Sequence, residues 1–121
     1  MVKDGKQKAF ERVSKIARRL KLDEIAEGTN YGDPALKVRG KAFITVKAAD
    51  TMVLPCPLEM KEVMMGSAPH IYYETPHFVG WPGLLVRLDV IGDEELALRI
   101  EDAWHYKAPK SLSAARKEKA G

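Results

Sequence analysis

Three histidines, one cysteine and several carboxylates are the residues whose types could do chemistry, and their spacing restricts what that chemistry can be. His70, His77 and His105 do not sit at the two-, three- or four-residue intervals that place a pair on one face of a strand or helix, and neither HExxH nor HxH occurs. His70 and His77 could meet across the loop they bracket, with Cys56 or Glu74 as further ligands, but a structural or surface role is the plainer reading, so no metal is assigned. His77 as a general base lacks a partner group, and no catalytic residue is assigned. Cys56, between Pro55 and Pro57, is a lone thiol whose one argument for reactivity is a place near a helix start; a buried, inert thiol is the simpler expectation. Asp93-Glu94-Glu95 fits a helix start, where the macrodipole favours anions. No GxxxxGK loop occurs, and Gly80-Trp81-Pro82-Gly83 lacks both the lysine and a directly following helix, which argues against nucleotide hydrolysis. No cofactor is implied.

Two constellations remain. Lys37, Arg39 and Lys41 alternate around a glycine turn and are expected to project from one side of a β-hairpin, forming a basic wing that reaches phosphates; a solvated hairpin guarded by lysines is the plainer alternative. His70 to Trp81, HIYYETPHFVGW, is dense in rings. With Tyr31 and Arg87, the side chains of Tyr72, His77 and Trp81 are candidates for a small-molecule or protein-binding cleft, with Arg87 as its anion anchor; rings in a strand and its loop also commonly pack the core.

The elements that must position these residues follow from periodicity. Phe10, Val13, Ile16, Ala17 and Leu20 recur at helical spacing between Lys8 and Leu20, giving an amphipathic helix whose outer face carries Arg12, Lys15, Arg18 and Arg19. Gly32, Asp33 and Pro34 break any helix, and alternation then predicts strands over Leu36–Arg39 and Lys41–Val46 joined at Arg39-Gly40, with a turn at Ala48–Asp50 into Thr51–Leu54. Pro57 suits the first position of a short helix ending at Gly66. Further strands are expected over Ile71–Glu74 and Leu84–Val90. A helix capped by Gly92 or Asp93 then buries Leu96, Ile100, Ala103 and Trp104 and ends before Pro109. The whole predicts an α+β fold, one domain over residues 1–112, with 113–121 as a basic tail, frayed or disordered.

Length and charge agree with one soluble domain. The chain has 121 residues, 45% hydrophobic, with net charge +3. The basic charge is terminal: residues 1–21 hold eight basic and two acidic residues, 22–98 hold six and twelve, and 99–121 hold six and three. A pI near 9.0 favours a polyanionic partner, while the acidic middle would have to face away from it. No apolar run approaches the roughly 20 residues of a membrane span, the start is charged, and a lone cysteine suits a reducing compartment; a cytoplasmic protein without membrane contact is expected, as monomer or as homodimer through a sheet edge.

Taken together the segments resemble the MmcQ/YjbR-like family, related in fold to the frataxin/CyaY group. The resemblance rests on the first helix with Phe10 and Ile16-Ala17, on Glu27 to Val38 (EGTNYGDPALKV) with Gly40 to Phe43, and on Thr75 to Phe78 with Gly80-Trp81. Leu85 to Leu88 and Ala103-Trp104 with Ala108-Pro109-Lys110 complete it, spanning about residues 8–112. It implies an antiparallel sheet packed against helices as a two-layer, CyaY-like sandwich, a double-wing arrangement for binding duplex DNA, and no enzymatic activity. In that arrangement Lys37, Arg39 and Lys41 contact phosphates, supported by Arg87, Arg12 and Lys15. Iron binding is not carried over, because the first helix sets five cations against the single Glu11 where the frataxin group has an acidic ridge.

Overall fold

Alternation puts one row of each strand against helices and the other toward solvent, and the strand register shows which row is which. The computed structural model describes residues 4–120. A 15-residue helix α1 (Gly5–Arg19) precedes strands β1 (Ile25–Asn30), β2 (Asp33–Val38), β3 (Lys41–Ala48) and β4 (Thr51–Pro55). Helix α2 (Leu58–Ser67), strand β5 (Tyr72–Tyr73), a 3-10 turn (Pro76–Phe78), strand β6 (Gly83–Arg87) and helices α3 (Asp93–Lys107) and α4 (Lys110–Ala120) follow. The six strands form one antiparallel sheet in the order β1-β2-β3-β4-β6-β5.

Opposite residues of an antiparallel ladder share a face. Leu36 pairs with Ile44, Val46 with Met52, Leu54 with Leu84, and Val86 with both Met52 and Tyr72; this buried row meets Phe10, Val13, Ile16 and Ala17 of α1 and Leu96, Ile100, Ala103 and Trp104 of α3. The α+β, two-layer arrangement expected from sequence is thus what the chain forms, with all four named α3 residues buried. The Trp104 indole N–H donates to Asp23 O at 3.0 Å, tying the loop after α1 to the core.

Three local expectations change. The strand expected to run to Val90 ends at Arg87, where the Ile91 N–H returns to Arg87 O at 3.0 Å and the Arg12 guanidinium holds the Leu88 and Ile91 carbonyls at 2.6 and 2.8 Å. Pro57 caps α2 from outside as its N-cap residue. Residues 113–120, expected as a frayed helix or disordered tail, lie in α4, whose Arg116 reaches Glu101 Oε2 at 2.9 Å and Leu20 O at 2.8 Å; Gly121 lies outside the described residues.

Candidate functional site

Two surfaces gather the residues with chemical potential, one at each end of β2. Both adjoining hairpins turn in two residues, Tyr31-Gly32 and Arg39-Gly40, with φ of 51° and 83° and of 47° and 81°. Positive φ at both central positions is what a type I′ turn requires, which gives the turn type the sequence left open at Arg39-Gly40.

The tight turn changes the expected wing. Lys37, Arg39 and Lys41 would share a side on one continuous strand, but across a two-residue turn Lys41 pairs with Val38 and takes its helix-side face. Lys37 lies on the outer face, its chain passing over Gly28, where a Cβ would be 3.6 Å from Lys37 Cδ. Arg39 is held by both oxygens of Glu24, at 2.9 Å each, and this hydrogen bonding raises the Arg39 pKa and lowers that of Glu24. Arg12 is a structural clamp, with Asp93 at 2.8 Å completing its three bonds. Lys15 is exposed on α1. Arg87 lies over the Tyr73 ring, 4.1 Å from its centroid, away from Lys41 on the opposite face.

What Lys41 does join is a groove of about 680 Å³ between the β2–β3 turn and the α3–α4 corner. Lys107, Lys110 and Lys117 line its other wall, and no carboxylate lines it among the described residues. Part of the acidic middle of the chain is ion-paired elsewhere: Lys6 pairs with Asp33 at 2.8 Å, Arg18 with Glu27, Arg12 with Asp93 and Lys61 with Glu74. The basic face of α1 is therefore partly spent on the body's own carboxylates. Sequence reasoning missed the groove because its cations come from segments some 70 residues apart.

The second surface is a cavity of about 440 Å³ on the open face of the sheet. Asn30, Tyr31 and Asp33 come to it from the β1–β2 hairpin, and Thr45, Lys47 and Val53 from the outward rows of β3 and β4. The loop after β5 supplies His77, Phe78 and Trp81 as the remaining wall. Phe78 and Trp81 meet edge to face, with centroids 5.5 Å apart, and the Lys47 ammonium lies 5.4 Å from the Phe78 centroid. Tyr31, His77 and Trp81 of the expected aromatic cleft thus come together. Tyr72 and Arg87 do not join them: Tyr72 is buried on the helix side, its hydroxyl donating to Glu95 Oε2 at 2.5 Å, and burial with that hydrogen bond raises its pKa.

Lys61 holds the aromatic loop in place. Only 3% exposed, it donates to Phe78 O at 2.7 Å and Trp81 O at 2.9 Å and pairs with Glu74 at 2.7 Å. The sequence gives no sign of this, since a lysine in a short helix ordinarily faces water. Cys56 is buried, and loss of hydration pushes its thiol up to about 11, which removes the argument for a reactive nucleophile. Among the described residues no three His, Cys, Asp or Glu side chains gather to hold a metal, and no helix is long and apolar enough to cross a membrane.

Residues 20–106 match the protein family described as YjbR. Two uncharacterised proteins, one from Mycobacterium bovis and one from Mycobacterium tuberculosis, are each 41% identical over 56 residues, which is 46% of this chain and 43% of theirs. The chain thus matches less than half the length of these curated relatives. No solved structure matches it.

Proposed function

The chain belongs to the YjbR family, and from that premise we propose that it is a non-catalytic module that binds the phosphate backbone of duplex DNA in the groove between the β2–β3 turn and the α3–α4 corner. The observation that carries this is the set of four lysines, Lys41, Lys107, Lys110 and Lys117, around one groove without a facing carboxylate. Ammonium groups spaced along a groove neutralise successive phosphates, and their affinity is sequence-independent. Of the wing expected from sequence, Lys41 makes the contact, with Arg39 at the groove mouth held by Glu24. An interface of about 1,000 Å² occupies roughly a seventh of the 7147 Å² accessible surface, feasible for one small module.

Fluorescence anisotropy of a labelled duplex at several salt concentrations tests it. If each of the four lysines neutralises one phosphate, replacing all four with alanine weakens binding and flattens the slope of log K against log salt by about 3.6 units, while Lys37→Ala leaves the slope unchanged. Absence of binding at about 50 mM salt, or a slope that the fourfold substitution does not move, overturns the proposal.

A further inference from the structure

We infer that the cavity on the open face of the sheet is a separate site for a small ligand, a planar heteroaromatic ring carrying one anionic group, of the chemical class of a nucleoside monophosphate. Its volume of about 440 Å³ lies within the range of small-molecule sites, and its walls combine rings with a few convergent polar groups.

Three observations carry the ligand's chemistry. First, part of the ring surface is presented to solvent: Tyr31, at a hairpin tip with φ of 51°, is 99% exposed, and Trp81 is 40% exposed while its packing over Gly83 and its edge-to-face contact with Phe78 fix its plane. A ring held in this way offers a stacking face to any planar base. Second, the charge that faces the cavity is positive. Lys47 has no carboxylate partner among the described residues and rests on the Phe78 ring, and the one lining carboxylate, Asp33, is taken up by Lys6 at 2.8 Å. Third, the polar floor is fixed: Asn30 and Thr45 both line the cavity, and Asn30 Nδ2 donates to Thr45 Oγ1 at 3.2 Å, so the amide is held in place among the lining groups.

The loop that forms the aromatic wall is bound by a buried ammonium, Lys61, to two of its own carbonyls. A charge taken out of water is costly, so placing one beneath this loop fixes the wall before any ligand arrives and reduces the ordering cost of binding. In the site so built, the base stacks on Trp81 with Tyr31 folding over it, and the phosphate meets Lys47 and His77.

The test titrates the full chain, isotope-labelled for amide NMR, with each of the four common ribonucleoside 5′-monophosphates to about 5 mM, and with inorganic phosphate and adenosine alone. The expected result is saturable binding of at least one monophosphate, with shifts confined to the β1–β2 turn, β3 and residues 76–83. Lys47→Ala, an exposed position, is expected to weaken that binding about tenfold, with the amide spectrum otherwise retained as the check on folding. No saturable binding by any of the four, shifts confined to Lys107, Lys110 and Lys117, or equal binding by inorganic phosphate alone each overturns the inference. Loss of DNA binding in the fourfold lysine variant leaves this result untouched, so the two sites fail separately.

Discussion

Replacing Lys61 with methionine removes the buried ammonium while keeping most of its apolar volume, and the structure allows its cost to be worked out group by group. Nζ serves three acceptors: Phe78 O, Trp81 O and the Glu74 carboxylate. The two carbonyls each keep a backbone donor, Phe78 O from the Trp81 N–H at 3.0 Å and Trp81 O from the Gly83 N–H at 2.8 Å, so neither is orphaned. The cost therefore falls on Glu74, left without its cation but with a side chain 28% exposed and able to take up water. Losing one partner of a buried pair costs about 3 to 5 kcal/mol, and partial hydration of Glu74 sets the expectation at the lower end, about 3 kcal/mol. With a urea m-value of about 1.5 kcal/mol/M, the unfolding midpoint falls by about 2 M. Adding Glu74→Gln removes the stranded charge, and the double variant is expected within about 1 kcal/mol of the parent. Urea unfolding followed by tryptophan fluorescence measures all three. A loss below about 1 kcal/mol in Lys61→Met, or no recovery in the double variant, refutes the reasoning that this charge is held by its partners.

Other expectations follow from the same contacts. Arg12→Ala strips three charge-assisted bonds and lowers stability by about 2 kcal/mol in thermal or urea unfolding, whereas Lys15→Ala changes it by less than about 0.5 kcal/mol; equal effects would count against the clamp. With its pKa at about 11, the Cys56 thiol is about 0.1% ionised at pH 8, so iodoacetamide reacts slowly and the rate climbs with pH beyond 9, where a plateau would contradict the assignment. Burial favours the neutral thiol, so the stability linked to it is intact below the ordinary thiol range and is lost as pH rises toward 11. Glu101 runs the other way: the Arg116 hydrogen bond lowers its pKa, so its contribution is present above the ordinary carboxylate range and fades as pH falls. Protection of the α4 amides, as the ratio of intrinsic to observed exchange rate at each pH, is therefore expected to fall in acid and in Arg116→Ala at neutral pH, and unchanged protection in that variant would show that α4 is held by other contacts.

The elements legible in the sequence are those whose burial leaves a period. Leu96, Ile100, Ala103 and Trp104 mark α3, and Phe10, Val13, Ile16 and Ala17 mark α1, because each helix buries one stripe against the sheet. Strand β1 left no such mark: it is an edge strand whose residues are exposed or half-buried throughout, so Ala26, Glu27, Gly28, Thr29 and Asn30 show no alternation. The strand after Trp81 read too long because Leu88 and Val90 continue the apolar alternation past Arg87, and its end is decided by a guanidinium 76 residues earlier in the chain. The candidate sites show the same division. Tyr31, His77 and Trp81 were visible as ring-bearing residues, but their companions Lys47 and Thr45 lie on a strand read only for its core face. Which side Lys41 takes is set by the length of a turn, and a count of alternate positions carries no information about that.

Strand β2 joins the groove and the cavity, with Tyr31-Gly32 before it and Arg39-Gly40 after it, and its six residues at about 3.4 Å each make a spacer of roughly 20 Å. That is more than twice the Debye length of about 8 Å at physiological salt, and the two surfaces also lie on opposite faces of the sheet. Ions in solution therefore shield an anion at one end from the cations at the other. If the groove holds a polyanion and the cavity a small anion, as proposed, screening over this distance leaves little direct electrostatic coupling between them.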